Sequence, residues 1–320
     1  MPGLLGRFYT AIKEQKAFLK KEILPQVEEI NSNWSEKLSA EDWQKIKKYY
    51  GLAVPAVVGE GYCLLRGKPM TKEERFRLSY LGAITGLFDD FFDRYKTNPQ
   101  RIQAFIETPD KVTACTVQEA VFLDFYQKAL QFPESKQLNY YIRRITKAQY
   151  YSQWQAKVEI QPSLIRRITF YKGGISLLLY RAAFSEPISG EEKRLYYCLG
   201  SLGQLENDIF DVYRDLQSGV RTLPTLANNS NSLRQIFEDL LSRTILLVKA
   251  TDFKAQNKAR FSRMVKLIAA RGLVALDVLA KAQEDSGGVF QPNTYHRSQL
   301  ICDMETLQNN RKMLSYFIQY

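Results

Sequence analysis

Apolar positions recur along most of this chain at the three- and four-residue spacing that turns one face of an α-helix toward a core. No stretch alternates strictly enough for a half-buried strand. The pattern predicts an all-α fold. Thr71-Lys72-Glu73-Glu74, Ser189-Gly190-Glu191-Glu192 and Ser232-Leu233-Arg234-Gln235 have the form of capping boxes, in which a hydroxyl accepts from the backbone three residues on and the side chain there reaches back. Each predicts a helix start. The first helix carries Tyr80 and Leu87 into Asp89 and Asp93 and stops before Asn98-Pro99, because the residue ahead of a proline resists helical geometry. The second carries Leu195, Leu199 and Leu202 into Asn207 and Asp215.

Breaks at Gly67-Lys68-Pro69, Gln161-Pro162, Glu186-Pro187, Ser218-Gly219, Asn228 to Asn231 and Gly287-Gly288 through Pro292 divide the rest. They leave about ten helical pieces. Ser218 to Ser232 is expected as the longest polar loop, and Gly173-Gly174 interrupts an otherwise apolar helix between Ser163 and Tyr180. No repeat or flexible linker intervenes, so the expectation is a single helical domain over residues 1–320.

Composition changes this picture only at its edges. With 320 residues and 45% hydrophobic content the chain can bury a large core. Cys63, Cys115, Cys198 and Cys302 are scattered without a CxxC pair and the one histidine is His296, which argues against a zinc site. No segment approaches a membrane span or a cleavable leader, so a soluble, cytoplasmic protein with reduced thiols is expected. Lysine and arginine outnumber the acids 45 to 34, a net charge of +11, which suits an anionic partner. The basic residues are dispersed in pairs and no nucleic-acid motif appears, so nucleic acid is not expected. An anionic membrane surface, touched peripherally, and a second copy of the chain remain candidate partners, while most of the charge reads as ordinary solvated surface.

Two acidic segments carry the chemistry. Asp89-Asp90-Phe91-Phe92-Asp93 and Asn207-Asp208-Ile209-Phe210-Asp211, running on to Asp215, supply oxygen ligands of the kind that hard divalent cations prefer. A four-residue step turns a helix by about 400°, so Asp89 and Asp93 share a face and Asp90 lies about 100° round from Asp89. Asn207, Asp211 and Asp215 spread over about 80° by the same geometry. Asp89, Asp90, Asp93, Asn207, Asp211 and Asp215 are thus the candidate metal set, with Asp90 turned off the shared face and Asp208 pointing elsewhere. A lone acidic pair is usually a solvated stripe; here Leu87, Phe88, Phe91 and Phe92 crowd the first one, and carboxylates among aromatics call for a compensating cation.

Asp89 to Asp93 resembles the DDxxD motif of class I isoprenoid synthases. Gly200 to Asp211 is similar to the GxxxQxxDDxxD second motif of trans-prenyl diphosphate synthases, with Asn207 for its first Asp. That substitution, with Arg214 and Asp215 following, also resembles the NDxxSxxxE motif of terpene cyclases, Asp211 standing for Ser or Thr and Asp215 for Glu. Gly219-Val220-Arg221-Thr222-Leu223-Pro224 resembles the region after the second motif in squalene, phytoene and prenyl diphosphate synthases.

The resemblance implies the superfamily's helical bundle around a central cavity and three Mg2+ ions, two on Asp89 and Asp93 and one on Asn207, Asp211 and Asp215. It implies a prenyl diphosphate substrate gripped by Arg214 with Lys172 or with Arg166 or Arg167, in a helix broken at Gly173-Gly174. Phe88, Phe92, Trp154 and Phe210 are candidates for lining the cavity, where ring faces would stabilise a carbocation. After Asp93 the chain reads Arg94-Tyr95-Lys96 rather than the Arg-Arg-Gly of chain-elongating enzymes. The expectation is therefore a terpene synthase, with a trans-prenyltransferase of the elongating or squalene/phytoene type as the alternative. A non-catalytic helical interaction protein that kept a synthase fold is the weaker alternative.

Overall fold

Thr71 starts the helix that organises the first half of the protein: its hydroxyl accepts from Glu74 N at 3.2 Å and Glu74 returns a carboxylate to Thr71 N at 2.8 Å. From there Lys72–Asp93 runs unbroken and buries Leu78, Leu81, Ile84, Leu87, Phe88, Phe91 and Phe92. The computed structural model describes residues 2–132 and 135–319, and every regular element among them is helical. The chain divides into two compact units, Met1–Gln149 with Leu179–Ile188, and Tyr150–Leu178 with Ser189–Tyr320.

In the first unit, helices Ala40–Lys47, Tyr50–Ala53 and Val117–Leu130 pack around Lys72–Asp93. The aromatic core sits beneath the motif: Phe88 lies 5.3 Å from Phe92 and 5.5 Å from Phe122, and Phe91 lies 5.4 Å from Phe105. Two segments, Leu19–Ile23 and Val54–Gly59, widen to a π-helix. Residue spacing does not reveal this, because one extra residue per turn only shifts the apolar stripe.

In the second unit, Ser189 and Glu192 form the expected capping box at the start of Gly190–Phe210. Helices Ser230–Ala250 and Ala255–Asp285 cover one side of it. Pro162–Leu178 covers another, antiparallel: Thr169 bonds Asp208, Ser201 bonds the Phe170 carbonyl, and Gly174 meets Tyr197.

Here the expectation of a glycine break is corrected. Pro162–Arg181 is one continuous helix through Gly173-Gly174. The glycines serve close approach instead, since a Cβ on Gly173 would stand 2.2 Å from the Gly200 carbonyl oxygen, and a Cβ on Gly200 2.2 Å from that of Gly173. Two further expectations are corrected. The helix after the second motif starts at Ser230 with Asn229 as its cap, not at Ser232, because the Asn229 side chain accepts from Asn231 N at 2.7 Å first. The polar loop expected over Ser218–Ser232 is shorter and contains the helical turn Leu223–Leu226.

This packing gives a paired test. Gly200→Ala is expected to destabilise the protein by about 3 kcal/mol, the upper end of overpacking a tight contact. Gly203→Ala, on the same helix with nothing within 4 Å of a new Cβ, is expected to stabilise it. The gain should be about 0.5–1 kcal/mol, from helix propensity alone. Urea unfolding of both variants checks the pair; equal effects would contradict the glycine contact.

Candidate functional site

The first motif ends its helix, as the sequence implied. Asp89 is half-buried and Asp93 exposed, on the shared face that i, i+4 spacing gives them. The Gln149 carboxamide, 1% exposed, donates to Asp89 Oδ1 and fixes that carboxylate from behind. One turn earlier Thr85 donates to the Leu81 carbonyl at 2.7 Å, so the buried Tyr180 hydroxyl, 2.9 Å away, donates to Thr85 Oγ1. Gln149, Thr85 and Tyr180 were missed in the sequence, where none belongs to a motif.

Asp90 does not join this face. Lys45 Nζ lies 2.7 Å from each of its carboxylate oxygens and 2.9 Å from Glu41. Burial pulls the Lys45 ammonium down, but its bonds to Asp90 and Glu41 outweigh that and hold it above its ordinary value. Gly86 makes the pair possible: a Cβ there would meet the Lys45 stem at 2.8 Å. Of the six candidate ligands, Asp90 is thereby committed to an ion pair within the protein.

In the second unit the motif helix ends at Phe210 and a short helix, Val212–Gln217, resumes after Asp211, whose φ of −90° and ψ of 3° lie outside helical values. The bonds from Asp211 N to Asn207 O and from Asp215 N to Asp211 O, both 2.9 Å, survive the irregularity, so the four-residue stepping of all three side chains is retained. Asn207 Nδ2 donates to Asp211 Oδ2 at 3.0 Å, and Arg214 reaches the same oxygen at 2.5 Å with 71% of its side chain exposed.

Asp208 is no bystander. It is 4% exposed, accepting from Gln204 at 2.9 Å and Thr169 at 3.1 Å, and burial still pushes it up to about 6 against the pull of these bonds and of Lys172. Burial, followed by the charges of Asp208 and Asp211, pushes Asp215 up to about 7. Glu206, adjacent and 7% exposed, is likewise pushed up to about 7 by burial, opposed by Arg271. Neither Glu206 nor the role of Asp208 was anticipated from sequence; the only signal was acids set among apolar residues.

The segment after the motif is tied down. Val220 N bonds the Asp215 carbonyl at 2.8 Å, while Arg221 and Gln155 exchange bonds of 2.8 and 2.9 Å. Thr222 is 3% exposed, and its hydroxyl lies beside the Asp215 carboxyl and draws it toward its ionised form. The remaining candidates are more peripheral. Arg166 and Arg167 are exposed, Lys172 and Phe210 half-buried, and Trp154 is 41% exposed with Lys157 5.0 Å over its ring. Phe88 and Phe92 are engaged in the aromatic core.

Among the described residues no three His, Cys, Asp or Glu side chains stand close enough to enclose a metal ion unaided. The donor set nonetheless suits Mg2+, which commonly binds through one or two carboxylates, water and substrate phosphate. Burial raises Glu206, Asp208 and Asp215 together, so the second motif gathers three acids whose ionised forms are disfavoured. The sequence matches no protein-family model and no curated protein. No described helix is long and apolar enough to cross a membrane.

These raised acids set a pH signature. A carboxyl raised in the folded state binds more protons there than in the unfolded chain, so its contribution to stability is favourable at low pH and is lost as pH rises toward 7. With a chelator present, Asp215→Asn is expected to gain stability relative to the parent between pH 5 and pH 8, as measured by thermal unfolding. A difference that stays constant or shrinks with pH would contradict the assignment.

Proposed function

We propose that this chain is a class I terpene synthase, with the helical bundle of that superfamily, acting on a linear prenyl diphosphate. The observation that carries the reading is the second motif, where Asn207, Asp211 and Asp215 keep helical register and where burial raises Asp215 and Asp208 above the ordinary carboxylate range. Asp89 and Asp93 would hold Mg2+ at the first motif and Asn207, Asp211 and Asp215 at the second. Bound there, the metal would supply electrostatic stabilisation of the diphosphate as the allylic C–O bond breaks.

The protein's own share is positioning. Gln149 orients Asp89, and Asn207 and Arg214 orient Asp211. Arg214, most of whose side chain is in solvent, can reach a phosphate oxygen from its place beside Asp211. Lys172 is the better second contact, since it is near enough to Asp208 to favour its ionised form. A trans-prenyltransferase is the second reading. It is favoured by the Gln204–Asp208 hydrogen bond, which joins two positions of the elongation-type motif that this chain retains.

Incubation with Mg2+ and geranyl, farnesyl or geranylgeranyl diphosphate alone is expected to release diphosphate and a hydrocarbon or alcohol, read by mass spectrometry. Asp89→Ala should lower that turnover more than about 100-fold while the protein stays folded, the cost of losing one transition-state contact. Products lengthened only when isopentenyl diphosphate is added would replace this reading by the second. Full diphosphate release from folded Asp89→Ala would refute both.

A further inference from the structure

The helix Ser135–Ser152 has two faces of opposite character. Leu138, Tyr141, Ile142, Ile145 and Ala148 are buried, and Gln149 beside them holds Asp89. On the other side Lys136, Tyr140, Arg143, Arg144 and Lys147 are all exposed. At 100° per residue these five fall within a stripe about 100° wide. No Asp or Glu occurs in the helix to interrupt it. Tyr140 is 51% exposed, with the Arg144 guanidinium 5.4 Å over its ring.

We infer that this stripe docks the protein on an anionic phospholipid surface. Four exposed cations on a helix without Asp or Glu complement a sheet of negative headgroups, and a tyrosine among them presents the amphipathic ring that favours the headgroup level. The apolar face is already buried in the core, so the helix cannot insert as a free amphipathic helix does. The contact is electrostatic adsorption, weakened as salt shortens the range of the field. A duplex or single-stranded nucleic acid is the less suitable partner, since the stripe offers one ring and no run of stacking platforms. The inference goes beyond the enzymatic reading and does not rest on it, because lipid binding is measured without substrate.

The test is co-sedimentation of the full chain with vesicles of phosphatidylcholine alone or with phosphatidylserine, at low and high potassium chloride. Binding is expected only to the phosphatidylserine vesicles and only at low salt. The triple variant Lys136→Gln, Arg143→Gln, Lys147→Gln should bind about 100-fold more weakly, about fivefold for each charge lost near the surface. Its circular dichroism should be unchanged, all three sites being exposed. The charge-matched variant Lys13→Gln, Lys16→Gln, Lys20→Gln, likewise at exposed sites, should keep most of the binding. Equal loss in both variants, equal binding to neutral vesicles, or tighter binding of single-stranded RNA than of anionic vesicles would overturn the proposal.

Discussion

A carboxylate withdrawn from water must be compensated, and the second motif is organised around acids that are compensated only in part. The cause is the backbone contact between Gly173 and Gly200. With no Cβ on either side, the two helices approach until Thr169 reaches Asp208 and the carboxylate is enclosed. Once Asp208 is fixed there, its charge adds to that of Asp211 in raising Asp215. Gln204, Thr169 and Lys172 relieve Asp208, while Arg214 and Thr222 draw Asp215 toward ionisation without offsetting its burial. The deficit is what a divalent cation would fill.

The first motif solves the same problem differently. Its middle acid, Asp90, is paired with Lys45, whose stem crosses Gly86, and burial still holds the carboxyl above its ordinary value. That ion pair ties the end of Lys72–Asp93 to Ala40–Lys47 and leaves Asp89 and Asp93 to act without it. Gln149 then sets the angle of Asp89 from a third helix. Small residues and buried polar side chains thus decide which of the acids are available for chemistry.

Much of this was legible in sequence where the signal is local. Thr71 and Ser189 announced their helices because a capping box is complete within four residues, and the common face of Asp89 and Asp93 follows from helical pitch. What was misread depends on neighbours distant in the chain. Gly173-Gly174 looked like a helix break, since sequence alone does not show the partner helix that their small size admits. Asp208 looked like an acid pointing away from the site because its partner Thr169 lies 39 positions away. Lys45 and Gln149, 45 and 60 residues from the acids they bond, belong to no motif. Asn229 outcompeted Ser232 as a cap because it stands earlier and its side chain is the first acceptor that the new helix meets.

The central claim, that the second motif holds acids short of a cation, is tested most directly by titrating the Asp215 carboxyl carbon by NMR with and without Mg2+. The account predicts a midpoint near 7 in a metal-free sample, where burial and the charges of Asp208 and Asp211 hold the proton on, and a marked fall when Mg2+ is added. A midpoint in the ordinary carboxylate range that Mg2+ leaves unmoved would contradict it.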